Sequence, residues 1–321
     1  LGRDFGALAA VMELDSNMMH AVMMTSTPQL IYWHPTTLTV MQAIQDWRRE
    51  GLPACFTIDA GPNVHLICEA PYAQAVEAQA RQIAGVQTVL ASLRLRARGT
   101  ETVLGRSRGQ VLQVADGVRL VGFHTPHPLP RARAILLHGW EGSSDSRYVK
   151  NAGRRLYENG FDIFRLNLRD HGPSQPLNRG LFWATDLDEV FEAVGQVARL
   201  AGDGPAFLAG FSLGGNFALR IAARCADRPM ANLRHVVAVS PALNPAKATD
   251  RVDAHPLILA YFLKKWRRSL TAKAELYPDV YDFSRMLALN TVREMTVAAI
   301  EDYGTHETID AYFQGYTITP E

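Results

Sequence analysis

The sequence predicts an α/β protein: a C-terminal, mostly parallel sheet flanked by helices, preceded by a smaller α+β domain. From residue 117 onward, apolar strand-like runs alternate with amphipathic helical runs, which is typical of a parallel sheet covered on both faces. Residues 1–91 instead mix helices with short strands. An arginine-rich, weakly apolar stretch near residues 92–110 separates the two parts. We therefore place the domains at residues 1–94 and 95–321.

Composition indicates a soluble, globular protein. Of the 321 residues, 47% are apolar and 20% are charged, and the net charge is +1, so nothing favours a nucleic-acid partner. No run reaches the about 18 apolar residues of a membrane span. Cys55, Cys68 and Cys225 form no CxxC pair and no disulfide-rich pattern, which fits a reducing, cytoplasmic location. We predict no metal site, and the sequence does not indicate an oligomeric state.

The N-terminal elements follow from the spacing of apolar residues. Asp15 or Ser16 provides an N-cap for a second helix, Gly51 ends a third, and a proline opens a fourth. Two short apolar runs on either side of a DAGPN turn are typical of strands. The predicted order is helix 4–15, helix 16–25, helix 36–50, strand 54–60, strand 64–69, helix 71–84 and strand 86–92.

The C-terminal elements alternate more regularly. The arginine-rich stretch before them indicates a solvated connection or an edge hairpin, because no aromatic residues are interleaved as in a nucleic-acid contact. After Ala242 the pattern is helical and contains no further convincing strand. The predicted order is strand 118–123, strand 132–140, helix 148–160, strand 161–168, helix 184–201, strand 205–212, helix 213–226 and strand 235–242.

The stretch GFSLGGN, residues 210–216, places a serine at a sharp turn between a strand and a helix. Gly210 and Gly214 allow the two elements to approach closely, so the hydroxyl of Ser212 is presented at the end of the sheet. Such a serine acts as a nucleophile in acyl transfer once a base removes its proton. Ser212 is therefore the candidate catalytic nucleophile.

An acyl-transfer site also needs backbone N–H groups aimed at the developing oxyanion. Leu213, the residue after the nucleophile, offers one, and Trp140, in the loop after the first buried strand, offers the second. We expect the neighbouring His138 and Gly139 to shape this loop and to contact substrate rather than to supply the base. His171, in the loop RDHGPS after the next strand, is expected to contact substrate or, alternatively, to serve a tight turn.

The segments HGWEGSSDS, NLRDHGPS and GFSLGGN, in this order, resemble the esterase branch of the α/β-hydrolase family over about residues 105–321. The resemblance implies a catalytic triad in the order serine, acid, histidine, and a hydrolase without a cofactor. In that family the acid and the histidine follow the last two strands of the sheet. His235, His255 and His306 do not follow a buried strand in that way, so we expect the triad acid and histidine to lie beyond Glu321.

Two polar motifs stand out before the arginine-rich stretch: DSNMMH and TIDAGPN. A glycine–proline turn would hold the carboxylate of Asp59 at the mouth of a strand, where it suits a base for a substrate hydroxyl; alternatively, Asp-Ala-Gly-Pro is a plain turn. Together the motifs resemble the C-terminal half of diphosphomevalonate decarboxylase, of the GHMP kinase superfamily, over about residues 4–91. The resemblance implies that Asp59 is catalytic and that the residues near its site are Asp15, Ser16, Asn17 and His20.

That family uses ATP, and magnesium with it, to phosphorylate and decarboxylate mevalonate diphosphate. Its glycine- and serine-rich phosphate loop belongs to an N-terminal domain, which we expect to precede Leu1, and Gly51, Gly61 and Gly85 stand alone. Three hypotheses follow. The chain is a serine hydrolase acting on carboxylic esters, an ATP-dependent diphosphomevalonate decarboxylase, or an inactive fragment or fusion of two partial folds, arising from a natural fusion or a joined gene.

Overall fold

The computed structural model describes residues 5–24, 29, 31–58, 63–89, 104–202 and 204–319, without the side chains of residues 15 and 22. Contacts within the chain divide it into two compact units, Leu1–Ala97 and Arg98–Glu321, named here the N-terminal unit and the C-terminal unit. Among the described residues, no helix combines the length and the apolar character needed to cross a bilayer.

The N-terminal unit packs helices on a two-stranded antiparallel sheet. Its elements are α1 (Phe5–Met24), α2 (Pro35–Arg49), β1 (Ala54–Ile58), β2 (Val64–Cys68) and α3 (Ala73–Ala80). The register of β1 and β2 places Ile58 opposite Val64. Ile44 of α2 and Phe56 of β1 are fully buried in one core, so the apolar face of α2 covers the sheet.

Two features of the N-terminal unit differ from the prediction. Helix α1 continues without a break through Ser16, because the Ser16 hydroxyl bonds to β1 instead of capping a second helix. Residues 86–89, the described part of the run predicted as a strand, belong to no strand. The N–H of Val86 closes a turn onto the carbonyl of Ile83 instead of pairing with a strand.

The sheet of the C-terminal unit is mostly parallel, as predicted. Across it the strands lie in the order β3-β4-β6-β5-β7-β8, where β4 is antiparallel to both neighbours and the other pairs are parallel. An edge hairpin therefore follows the arginine-rich stretch. The strands are β3 (Arg108–Gln113), β4 (Arg119–Thr125), β5 (Ala132–Leu137), β6 (Phe161–Leu166), β7 (Ala206–Phe211) and β8 (Leu233–Val239).

Helices cover both faces of this sheet. Every residue of β5 is buried. Ile135 and Leu137 face one core, and Ala134 and Leu136 face another, which is the alternation expected of a strand covered on both sides. The helices between strands are α4 (Arg147–Glu158), α5 (Leu187–Arg199) and α6 (Leu213–Arg224).

Among the described residues that follow β8, the regular elements are helices, as the pattern predicted. Phe283, Met286 and Met295 are buried at the centre of their shared apolar cluster. The helices are α7 (Pro245–Asp253), α8 (Pro256–Leu276), α9 (Ser284–Leu287), α10 (Val292–Tyr303) and α11 (Ile309–Gln314).

The strand order favours a functional site at the carboxyl ends of β5 and β7. From β5 the chain passes to β6 on one side and later returns to β7 on the other. At such a reversal the loops after the two strands diverge and leave a crevice. The loop after β5 begins at His138, and the turn after β7 is Ser212.

Candidate active site

The turn between β7 and α6 holds Ser212 in a left-handed conformation, with φ 52° and ψ −116°. A residue with a side chain is strained at such an angle and remains there only where its surroundings fix it. The N–H of Ser212 donates to the carbonyl of Val239 at 2.9 Å, and the carbonyl of Ser212 accepts the N–H of Asn216 at 3.0 Å. The Ser212 side chain is exposed, so the turn presents its hydroxyl outward.

Glycines make this turn possible by allowing close approach. A Cβ on Gly214 would lie 2.4 Å from the carbonyl oxygen of His138, and a Cβ on Gly139 would lie 3.1 Å from the Cβ of Ser212. No larger residue fits at Gly214 without moving backbone. The turn after β7 and the loop after β5 are therefore in direct contact.

His138 orders the loop after β5 from a fully buried position. The N–H of Leu168 donates to its Nε2 at 3.1 Å, so Nδ1 carries the proton and donates to the carbonyl of Gly139 at 2.8 Å. Burial lowers the pKa of His138 to about 3, and the nearby His171 adds to the shift. This neutral ring has no free lone pair with which to take a proton from Ser212.

His171 orders the neighbouring loop in the same way, and its ring lines the cavity at Ser212. Its Nε2 accepts the N–H of Glu141 at 3.1 Å, and its Nδ1 donates to the carbonyl of Arg169 at 2.6 Å. Burial lowers the pKa of His171 to about 4. Both histidines are therefore neutral near pH 7 and tie the loops after β5 and β6 together.

Two backbone N–H groups beside Ser212, those of Trp140 and Leu213, have no hydrogen-bond partner among the described residues. Both residues line the same cavity as Ser212. Leu213 begins α6, where helix N–H groups point outward and the helix dipole favours negative charge. The carbonyl of Gly139 accepts the N–H of Gly142 at 2.9 Å, and this bond orients the peptide that carries the Trp140 N–H.

Ser212 opens on a cavity of about 200 Å³ at the carboxyl ends of the strands. The ring of Trp140 stacks on Phe262 and meets Trp266 edge-on, with centroids 5.1 and 5.2 Å apart, which joins the loop after β5 to α8. The acidic and basic side chains of the lining are Glu141, Asp170, His171 and Lys273. Its apolar lining includes Leu181, Phe182, Trp183, Val252, Phe262, Leu270, Met286 and Val292.

A buried ion pair at this cavity connects α8 to the loop after β6. Nζ of Lys273 donates to Asp170 Oδ1 at 2.7 Å and to the carbonyls of Asn178 and Gly180 at 2.7 and 3.0 Å. Asp170 Oδ2 accepts the N–H of Phe182 at 2.7 Å. All three donors of the ammonium are used, so the pair holds helix and loop together. The sequence pattern does not single out Lys273, because lysines and arginines recur along its helix as they do on a solvated face.

None of the three histidines that follow Ser212 lines this cavity in the described part of the chain. His235 lies at an exposed position on β8, and His255 and His306 lie between helices. His171, the histidine that does line the cavity, has both ring nitrogens occupied. The described residues thus provide a hydroxyl and two N–H groups, but no imidazole free to accept the serine proton.

Replacing His171 by glutamine is expected to remove one contribution to the pH dependence of the free energy of unfolding. The folded ring resists protonation, whereas an unfolded imidazole titrates with a pKa of about 6.5. Below that pH the imidazole binds a proton in the unfolded chain but not in the folded chain. The free energy of unfolding of the parent therefore falls by about 2 kcal/mol between pH 7 and pH 5 because of His171. The difference in unfolding free energy between parent and H171Q, measured in urea at both pH values, should narrow by that amount.

His235→Gln, which removes an imidazole from an exposed position, is the matched control. Each variant is compared with the parent because Glu141 and Glu189 also make the free energy of unfolding depend on pH. Burial raises the pKa of both carboxyl groups to about 7, so they stabilise the folded chain as the pH falls, opposite to the effect of His171. A constant gap between parent and H171Q from pH 7 to pH 5 would contradict a neutral His171.

In the N-terminal unit, residues of the DSNMMH motif meet the end of β1. The Ser16 hydroxyl accepts the N–H of Ile58 at 2.9 Å and donates to its carbonyl at 3.2 Å, and His20 Nε2 lies 3.1 Å from the same carbonyl. Oδ1 of Asn17 is buried and has no hydrogen-bond partner among the described residues. Ser16 and His20 therefore fix the backbone one residue before the predicted Asp59.

Asp59 and the side chain of Asp15 lie outside the described residues. The structure adds a buried carboxylate that the sequence analysis did not find. Both oxygens of Glu13 accept from Arg48, at 2.7 and 2.8 Å, and one also accepts the N–H of Phe56 at 3.3 Å. This pair joins α1 to α2, and no local pattern reveals it because its members are 35 residues apart.

Comparison with protein-family models identifies a domain in each unit. Residues 135–289 match the alpha/beta hydrolase fold, and residues 1–108 match the mevalonate 5-diphosphate decarboxylase C-terminal domain. Both matches confirm the families predicted from the motifs. The six-stranded, mostly parallel sheet and the smaller N-terminal domain confirm the predicted fold class.

Individual relatives cover only parts of the chain. A diphosphomevalonate decarboxylase of Debaryomyces hansenii is 37% identical over 71 residues, which are 22% of this chain and 18% of that protein. An uncharacterized protein of Rickettsia prowazekii is 32% identical over 140 residues, 41% of this chain and 55% of that protein. The α/β serine hydrolase XC6422 from Xanthomonas campestris is 30% identical, with a TM-score of 0.33, over 38% of this chain and 57% of that chain. The chain thus spans less than two thirds of each of these proteins.

Proposed function

We propose that the C-terminal unit hydrolyses carboxylic esters with Ser212 as the nucleophile. One observation carries the proposal: an exposed hydroxyl on a strained strand-to-helix turn shares a cavity wall with the unpartnered N–H groups of Trp140 and Leu213. Acyl transfer needs a hydroxyl and two such donors side by side. The match to the alpha/beta hydrolase fold supports the same reaction class.

In this mechanism Oγ of Ser212 attacks the ester carbonyl carbon and gives its proton to a base. The carbonyl oxygen becomes an oxyanion, which the N–H groups of Trp140 and Leu213 hold. The ester C–O bond then breaks, the leaving oxygen takes the proton and departs as an alcohol, and Ser212 remains acylated. Water attacks the acyl group with help from the same base, which releases the acid and restores the serine.

The base in this proposal is an imidazole that the described residues do not bring to the cavity. His138 and His171 support substrate binding through the loops that they hold, since their own nitrogens are occupied. Gly139 leaves space beside the nucleophile, because a side chain there would press on Ser212. The reaction in this form uses a small-molecule ester and no cofactor.

A fluorescent fluorophosphonate, which reacts with activated serines, tests the proposal on the whole chain. With imidazole added to supply the base, we expect labelling that peptide mass spectrometry assigns to Ser212, that disappears in S212A and that persists in S240A. Ser240 is the matched control because it is also exposed and also has a positive φ, 45°, at the end of the neighbouring strand β8.

Added imidazole distinguishes a missing base from a missing site. We expect both the labelling and the hydrolysis of p-nitrophenyl acetate by the parent to increase with imidazole well above the background of S212A. A folded parent that stays unlabelled with imidazole present would show the proposal to be wrong. So would an S212A variant that is labelled as fast as the parent.

A second candidate activity, in the N-terminal unit, is the ATP-dependent decarboxylation of mevalonate diphosphate. The family match over residues 1–108 favours it, as do the bonds by which Ser16 and His20 fix Ile58 beside Asp59. Residues 1–108, as far as the structure describes them, do not by themselves provide a binding site for a triphosphate or for magnesium. The glycines of this region stand alone, and the described residues hold no cluster of three or more side chains suited to a metal ion.

Release of carbon dioxide from mevalonate diphosphate, measured with ATP and magnesium, tests this second activity. An active chain should lose turnover in D59N and keep it in S212A, because the two substitutions lie in different units. A parent that releases no carbon dioxide contradicts the decarboxylase proposal. If its Ser212 is also unlabelled, the hypothesis of an inactive fusion is favoured.

A further inference from the structure

The cavity at Ser212 contains one carboxyl group that the fold leaves largely free. Most of the wall is aromatic or aliphatic, with side chains such as Trp183 and Phe262. Glu141 lines this cavity and directly follows Trp140, the candidate oxyanion donor. Apart from a hydrogen bond with the side chain of Ser269, no described residue bonds to the Glu141 carboxyl group.

The backbone of Glu141 is held on both sides. Its N–H donates to Nε2 of His171 at 3.1 Å, and its carbonyl accepts from Nζ of Lys265 at 2.8 Å. Its φ of 54° lies in the left-handed region, which glycine adopts without strain and glutamate does not. The loop therefore keeps a strained glutamate at the cavity wall, in a fixed position.

The other charged groups of the cavity are already paired. Lys273 uses its three donors on Asp170 and two carbonyls, and both oxygens of Asp170 are occupied, by Lys273 and by the N–H of Phe182. Both nitrogens of His171 are likewise used. Among the charged side chains that line the cavity, Glu141 is thus the one whose charged group bonds to no oppositely charged side chain and to no backbone group in the described part of the chain.

We propose that Glu141 recognises a hydroxyl group on the substrate, close to the ester carbonyl. The proposal rests on the proposed function in so far as the ligand is an ester. Trp140 and Glu141 are adjacent in the chain and line the same cavity, so the N–H of Trp140 and the carboxyl group of Glu141 can serve neighbouring parts of one ligand. A 3-hydroxyacyl ester, which carries its hydroxyl close to the ester carbonyl, belongs to this class of ligand.

A hydroxyl fits this carboxyl group in both of its protonation states, because a hydroxyl both donates and accepts. Burial raises the pKa of Glu141 to about 7, with Lys265 opposing and Asp170 adding to the shift, so both states occur near neutral pH. An ammonium group only donates, and Lys265 repels it. A ketone only accepts and therefore loses its bond when Glu141 ionises.

Binding to S212A, which lacks the proposed nucleophile, tests this inference without turnover. Trp140, Trp183 and Trp266 line the cavity, so intrinsic fluorescence reports the ligand. We expect methyl 3-hydroxyhexanoate to bind about tenfold more tightly than methyl hexanoate. The preference should disappear in S212A/E141L and persist in S212A/E141Q, because glutamine keeps a donor and an acceptor.

Absence of binding, equal binding of the two esters to S212A, or a preference that survives in S212A/E141L would each overturn the inference. Near-UV circular dichroism establishes that each variant is folded before its binding is compared. Failure of the proposed function gives a different result. The hydroxy ester would then still bind in a Glu141-dependent way, while the parent would remain unlabelled at Ser212 by the fluorophosphonate.

Discussion

Replacing Gly210 by alanine is expected to destabilise the C-terminal unit by about 3 kcal/mol. The new Cβ would lie 2.0 Å from the carbonyl oxygen of Gly214 and 2.7 Å from the nitrogen of Gly215, and both contacts are with backbone. A flexible side chain would move aside, but here β7 and the first turn of α6 must separate. Because Ser212 connects these elements, its labelling by the fluorophosphonate should fall together with stability.

Gly109→Ala is the control for this prediction. Gly109 also lies in a strand, β3, but its Cβ would meet nothing closer than a ring carbon of Phe123 at 3.7 Å, an ordinary contact. Its free energy of unfolding should stay within about 0.5 kcal/mol of the parent. Urea unfolding compares the two variants, and similar losses at Gly109 and Gly210 would contradict the close approach of strand and helix.

The parallel sheet and its serine turn are predictable from sequence because local requirements determine them. A strand buried on both faces, such as β5, needs apolar residues along most of its length, and its buried run ARAILL meets that need except at Arg133, whose guanidinium is paired with Asp162. The turn at Ser212 needs small residues at fixed offsets, which Gly210 and Gly214 provide. Both requirements are readable within a few residues of the position concerned.

The N-terminal unit marks the limit of such local patterns. The capping rule predicts a helix break at Ser16, yet its hydroxyl bonds to Ile58, 42 residues away, and α1 continues. The spacing within the motif is informative all the same. Ser16 and His20 are four residues apart, so they share one face of α1 and both reach Ile58. Local sequence thus indicates which side chains act together, but not what they contact.

The roles of the charged side chains around the cavity could not be predicted from the sequence. Lys273 lies among lysines and arginines in α8 that are typical of a solvated face, yet it is 2% exposed. Its partner Asp170 precedes it by 103 residues. Glu141 lies in the HGWEG segment, whose sequence suggests a role for its backbone N–H groups but none for its carboxyl group. The packing of α8 against that loop shows that Glu141 lines the cavity.

Replacing Lys273 by methionine is the second change with a large expected effect. The substitution leaves the buried Asp170 carboxylate with one remaining partner, the N–H of Phe182, and removes the donor to the carbonyls of Asn178 and Gly180. Breaking a buried ion pair on one side costs about 3–5 kcal/mol. We expect K273M to lower the unfolding free energy of the C-terminal unit by about 3 kcal/mol, measured in urea.

Lys264→Met, at an exposed position of the same helix, is the matched control and should change stability by less than about 0.5 kcal/mol. The D170N background then separates charge from packing, because asparagine still accepts the Phe182 N–H but carries no charge. In that background K273M should cost about 2 kcal/mol less than in the parent. Equal costs in the two backgrounds would mean that Lys273 contributes through its carbonyl bonds and its packing rather than through the ion pair.

If the cost of K273M depends on Asp170, a further effect on the site is expected. The pair joins α8 to the loop after β6, so the amide hydrogens of α8 should exchange faster in K273M than in K264M. Faster exchange there would show that the weakened contact lies where α8 lines the cavity at Ser212.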